Sequence, residues 1–262
     1  MKWFPFGKKH PPKVPDAWDF YPCQVDHHPA SIFLNLAYAD FAPIETHPTF
    51  LWIGLQILEP DDHGMGHRDD AEKLHAIEDR IVERAEKAGM LFVGRLRNNG
   101  DWQLSFYGTD EHEAQLEPLA AAGLGGETRG IHVGAKPDPE WGYFSEFLFP
   151  PEERVQWMKN RDVVLQLQQH GDVLTQPRTI DHCVVFPPGI DPGEFLENIK
   201  SKGFTTHDVG DPKGAERVFE LRRDDPVELE HIHEIAMQLS EEVEAAGGTY
   251  DGWGCPVVTD GD

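Results

Sequence analysis

GGTYDGWGCPVV, residues 247–258, follows the last amphipathic run of the chain and decides how the segments before it are grouped. Gly247-Gly248 stops a helix, because glycine just past a helix reaches the left-handed conformation without a Cβ penalty. Asp251-Gly252 adds a turn signal before the apolar stretch 255–258, which is expected to be a short closing strand. Tyr250 and Trp253 carry polar tips on large apolar bodies, which suits a sheet rim or an interface anchor. With Asp251 they are the candidate partner-binding residues.

Upstream of that stretch, residues 227–246 carry Leu229, Ile232, Ile235, Leu239, Val243 and Ala246 on one helical face, with Glu228, Glu230, Glu234, Glu241 and Glu242 mostly elsewhere. Further back lie strands at 217–223 and 204–209, a helix at 192–201 stopped by Gly203, and a strand at 178–186. The order from 178 onward is therefore strand, helix, strand, strand, helix, strand. Before it, Pro150-Pro151-Glu152-Glu153 puts proline at a helix start and acids in its first turn, and that helix runs to His170.

The first half has the same order. Residues 49–58 read as a buried strand, and 69–88 as a helix whose Leu74, Ile77, Ile81, Ala85 and Ala88 repeat at three and four. Strands at 90–97 and 102–107 flank Asn98-Asn99-Gly100-Asp101, a hairpin signal because Asn and Gly tolerate positive φ. A helix at 110–122 stopped by Gly123 and a strand at 141–149, where ring and polar residues alternate, complete the set. Ahead of it, 17–23 and 31–36 form a hairpin. The expected fold is α+β: two tandem ferredoxin-like (βαββαβ) sandwich modules, the first with an extra N-terminal hairpin. The expected divisions are a flexible basic tail at 1–15 and domains at 16–150 and 151–262.

The 262 residues hold 23 basic and 47 acidic side chains, a net charge of −24. Four lysines and no acid fall in 1–15, while 16–150 is net −15 and 151–262 net −13. Such a field repels phosphate backbones, so direct nucleic-acid binding is not expected, and a basic protein partner is. Cys23, Cys183 and Cys255, an odd and scattered set, fit reduced thiols and a cytoplasmic location. No apolar window nears the roughly 18 residues that span a bilayer, and the N-terminus lacks a signal-peptide core.

The chemistry-bearing residues do not assemble into an expected catalytic or metal site. His63 and His67 are separated by Gly64 and Gly66, which argues against one helix presenting both, and His231 and His233 sit roughly 200° apart around a helix. Asp181-His182-Cys183 contains suitable types for nucleophilic catalysis, but neighbours on a strand face opposite ways. No nucleophile elbow, phosphate loop or dinucleotide fingerprint is present. Neither a cofactor nor a metal is expected.

Tyr250-Asp251-Gly252-Trp253-Gly254 resembles the C-terminal signature of the regulator of ribonuclease activity B family, protein inhibitors of ribonuclease E. The helix at 163–170, Gly171-Asp172, the strand through Ile180-Asp181-His182 and the Gly203-Phe204 strand entry follow that family's order, so the resemblance spans 151–258. Trp18-Asp19-Phe20-Tyr21, with Trp141 ahead of Pro150, makes the first half resemble the domain of unknown function 695 family. The first resemblance implies a non-enzymatic regulator that binds ribonuclease E, or another basic protein segment, and modulates RNA degradation. The alternative is an enzyme or small-molecule binder of unassigned chemistry in the first half.

Overall fold

The computed structural model describes residues 12–210 and 216–259; residues 1–11, most of the expected basic tail, lie outside them. The protein is α+β with two antiparallel sheets and divides into compact units at 1–150 and 151–262. No described helix is long and apolar enough to cross a membrane.

The first unit contains β1 (Trp18–Val25), β2 (His28–Asn35), β3 (Thr49–Gln56), α1 (Arg68–Lys87), β4 (Leu91–Asn98), β5 (Asp101–Gly108), α2 (Glu113–Leu124) and β6 (Ile131–Pro137). Its strands form one sheet in the order β1-β2-β4-β5-β3-β6. Asp26 and His27, both at positive φ, make the two-residue turn of the first hairpin, and Asn99-Gly100 makes that of β4–β5. Leu51, Ile53 and Leu55 of β3 and Leu104 and Phe106 of β5 meet Leu74, Ile77 and Ile81 of α1 and Leu116 and Ala120 of α2 in a core closed to solvent.

Two expectations for this unit are corrected. Gly123 does not stop α2; it lies within the helix, where a Cβ would come within 2.2 Å of the Ile81 side chain, so its role is close approach of α1 and α2. The helix ends at Gly125, which holds the left-handed conformation. Residues 141–149 are not a strand either. Tyr143–Leu148 is a π-helical turn, and the sixth strand is β6. The buried rings at 141 and 144 are spaced for a helical turn, Trp141 stacks on Tyr107 at 3.8 Å, and Asp138 accepts the N–H groups of Gly142 and Tyr143.

The second unit runs α3 (Glu152–Gln169), β7 (Arg178–Phe186), α4 (Gly193–Ser201), β8 (Thr205–Gly210), β9 (Arg217–Asp225), α5 (Leu229–Ala245) and β10 (Thr249–Gly254). The sheet order is β10-β7-β9-β8. Along β7, Ile180, His182, Val184 and Phe186 are buried and the residues between them are half-buried or exposed, the period of two that puts alternate side chains on opposite faces. Of that inward row, Val184 and Phe186 pack with Phe219 and Leu221 of β9 on Phe195 and Ile199 of α4 and Ile235, Leu239 and Val243 of α5. The expected closing strand at 255–258 is displaced to 249–254. Pairing with β7 begins as soon as the helix has ended, and the apolar residues beyond it instead run beside the loop after α3, where Val173 N–H donates to Val258 O.

Candidate partner-binding surface

Tyr250 and Trp253 are three residues apart, so a regular strand would turn them to opposite faces. The register shows why it does not: Tyr250 pairs with Val184, Gly252 with Cys183 and Trp253 with His182, leaving Asp251 as the extra residue of a β-bulge. Gly252 sits at φ 116°, a backbone conformation that side-chain-bearing residues rarely adopt. The Asp-Gly pair thus shifts the register by one residue, and both aromatic side chains reach the helix-covered face.

Tyr250 is buried, and its hydroxyl lies 2.9 Å from Nδ1 of His182, itself closed to solvent. Burial pushes the Tyr250 phenol well above its ordinary range and brings the His182 imidazole down to about 4. Both groups are therefore neutral at pH 7, and their contact is a neutral hydrogen bond inside the core. Trp253 is half-buried against the cluster of Val164, Leu167, Ile180, Val227 and Ile232. Its indole N–H donates to Oδ1 of Asn160 at 2.9 Å; that amide is buried in α3, also accepts from Gln156, and contacts Nδ1 of His233 in α5 at 3.1 Å.

Of the residues expected to meet a partner, Tyr250 is turned into the main core and Trp253, half-buried, onto the α3–α5 seam. A partner reaching the surface meets Asp251, which is exposed.

Asp251 stands at one edge of the sheet face opposite the helices. Register places Asp181 across from Arg222 and Cys183 across from Glu220 on that face, with His207 of β8 beyond Glu220. Arg222 pairs with Asp181 at 2.5 Å and with Glu220 at 2.6 Å, so one cation serves two carboxylates, and among the described residues no ion pair reaches Asp251. Burial, then the charges of Asp251 and Glu220, push the Cys183 thiol up. That keeps it protonated, the reverse of what a nucleophilic cysteine needs. The face offers negative charge on a rigid sheet, which suits recognition of a cationic segment. Asp181, Glu220 and Arg222 were not singled out as partner-binding residues from sequence; the alternation along the two strands was the available signal, but their pairing across strands was not.

Comparison with known proteins gives two family matches. Residues 16–149 match the Family of unknown function (DUF695), and residues 157–255 match Regulator of ribonuclease activity B. A solved structure described as an unknown protein from Galdieria sulphuraria aligns at 12% identity over 78% of this chain and 96% of that one, with a TM-score of 0.21, too low to argue a shared fold. No curated protein matches.

Proposed function

Because the chain belongs to the Family of unknown function (DUF695) and continues into a segment matching Regulator of ribonuclease activity B, we propose that it is a non-enzymatic regulator that binds a ribonuclease through the second unit. The match over 157–255 carries this reading. The partner in this reading is ribonuclease E or another basic protein segment, met by the outward sheet face around Asp251, Glu220 and Asp181. Each unit is read as a ferredoxin-like sandwich; the strand orders β4-β5-β3-β6 and β10-β7-β9-β8, with a helix after the first and third strand of each set, support that reading. The odd, scattered set of cysteines at 23, 183 and 255 supports a cytoplasmic setting.

Exposed ion pairs are worth about 0.2–1 kcal/mol each and are screened over about 8 Å at physiological salt, so charge on this face governs association rate and salt sensitivity more than residence time. The test is titration of the full chain with an arginine-rich segment of ribonuclease E, alongside an RNA-cleavage assay. Reversing two charges with Asp251→Lys and Glu220→Lys should weaken binding about five- to thirtyfold while leaving the melting temperature within a few degrees. Absence of binding by the wild-type chain at micromolar concentration and low salt would reject the partner.

A further inference from the structure

Among the described residues, the first unit has six strands under two helices. α1 packs on β4, and α2 on β3 and β6, so the β1–β2 hairpin carries the sheet out past the flank of α1. The space left there is an open groove of about 380 Å³. On the sheet side its lining is aromatic: Trp18 stacks on Phe33 at 5.1 Å and on Phe92 at 5.2 Å. Phe20, directly opposite Phe33 in the register, extends the same face and is 46% exposed. On the helix side the lining is acidic, with Asp79, Glu83 and Glu86 beside Val82.

These carboxylates are not equally neutralised. Glu83 pairs with Lys87 at 2.5 Å, and Glu78, at the inner end, is held by Arg95 and by the Trp102 indole N–H. Among the described residues no ion pair neutralises Asp79 or Glu86. Asp16, which accepts the Trp18 indole N–H at 3.2 Å, adds another carboxylate at the mouth. Burial, and then the charge of Asp16, raise the Glu86 carboxyl.

Arg95 shows what such surroundings accept. Its guanidinium lies 4.2 Å from the Trp102 ring and 4.9 Å from the Phe33 ring while contacting both oxygens of Glu78. An aromatic plane with a carboxylate at its rim matches the flat, five-donor guanidinium better than an ammonium. We propose that the groove receives an arginine side chain from a basic segment of a protein partner, stacked on the Trp18 face with its N–H groups toward Glu86 and Asp79. This site belongs to the first unit and is independent of the sheet face read as partner-binding in the second.

The experiment uses the full chain and a labelled peptide of alternating glycine and arginine, followed by fluorescence anisotropy at about 0.1 M salt. The arginine peptide should bind several-fold more tightly than its lysine counterpart, and a citrulline counterpart should not bind. Asp79→Asn with Glu86→Gln should weaken binding about tenfold, whereas Glu241→Gln with Glu244→Gln on α5, which removes the same charge from the other unit, should change it less than about twofold. Trp18→Leu, which leaves the charge untouched, should also cost about tenfold. Equal losses in the two double variants would overturn the proposal in favour of a diffuse field, and they decide the matter even if Trp18→Leu fails to fold. Two other occupants are separable. A sedimenting dimer that Glu86→Gln dissociates assigns the groove to a second copy. Binding that emerges only when Lys2, Lys8 and Lys9 are changed to glutamine assigns it to the chain's own lysines. Either result overturns the partner assignment.

Discussion

Replacing Trp253 tests whether the most conspicuous aromatic of the C-terminal signature serves folding or binding. Its ring rests on Val164, Leu167, Ile180, Val227 and Ile232, and its N–H satisfies one lone pair of the buried Asn160 amide. Full truncation of a buried tryptophan costs about 3–5 kcal/mol; because this ring is half-exposed, Trp253→Ala should cost about 2–3 kcal/mol. Trp253→Phe keeps most of the packing and loses the hydrogen bond, and Asn160 Oδ1 still accepts from Gln156, so that change should cost about 1 kcal/mol. At about 4 °C per kcal/mol for a unit of this size, the two variants should lower the melting transition of the second unit by about 10 °C and about 4 °C. Differential scanning calorimetry of the full chain supplies the first measurement. Titration with the ribonuclease segment well below the lowered transition supplies the second, and there the folded fraction of either variant should bind like wild type. An alanine variant that melts within about 2 °C of wild type yet binds about thirtyfold more weakly would refute the reasoning and return Trp253 to the interface.

Two further outcomes follow from buried titratable groups. His182 has a folded pKa of about 4, below its unfolded value, so the neutral form is favoured in the core and the stability it confers is complete above about pH 6.5 and lost as pH falls toward 4. Urea melts at pH 7 and pH 5 should show a smaller drop for His182→Gln than for wild type; an equal drop would assign the effect to other groups. Asp172 is closed to solvent, and although burial opposes its charge, Arg178 at 2.5 Å and the Val258 N–H hold its carboxyl below the usual range. Asp172→Asn should therefore destabilise the second unit by about 3–5 kcal/mol, read by denaturant unfolding at pH 7, with the difference from wild type shrinking as pH drops below about 4.

Short-range pattern was enough for much of the element layout. The three-and-four spacing of Leu74, Ile77 and Ile81 and of Ile232, Ile235 and Leu239 marks α1 and α5, because a helix buries one stripe whatever it packs against. Asn99-Gly100 marks its turn, because positive φ is a property of the residue itself. The five residues Tyr250 to Gly254 carried the family resemblance, which the match over 157–255 bears out. Pattern failed where the outcome depends on what lies opposite. β6 is diluted by Gly134, Lys136 and Pro137, and becomes a strand because β3 offers it an edge. The rings after Trp141 alternate with polar residues but close as a helical turn, because Asp138 caps the backbone and Tyr107 supplies the stacking plane. Whether Trp253 faces solvent or core turns on a single bulged residue, visible only in the register against β7. The groove beside Trp18 exists because two helices do not cover six strands. Periodicity is local and is written along the chain, whereas a face, an edge or an uncovered flank is a relation between distant segments and comes into being only when they pack.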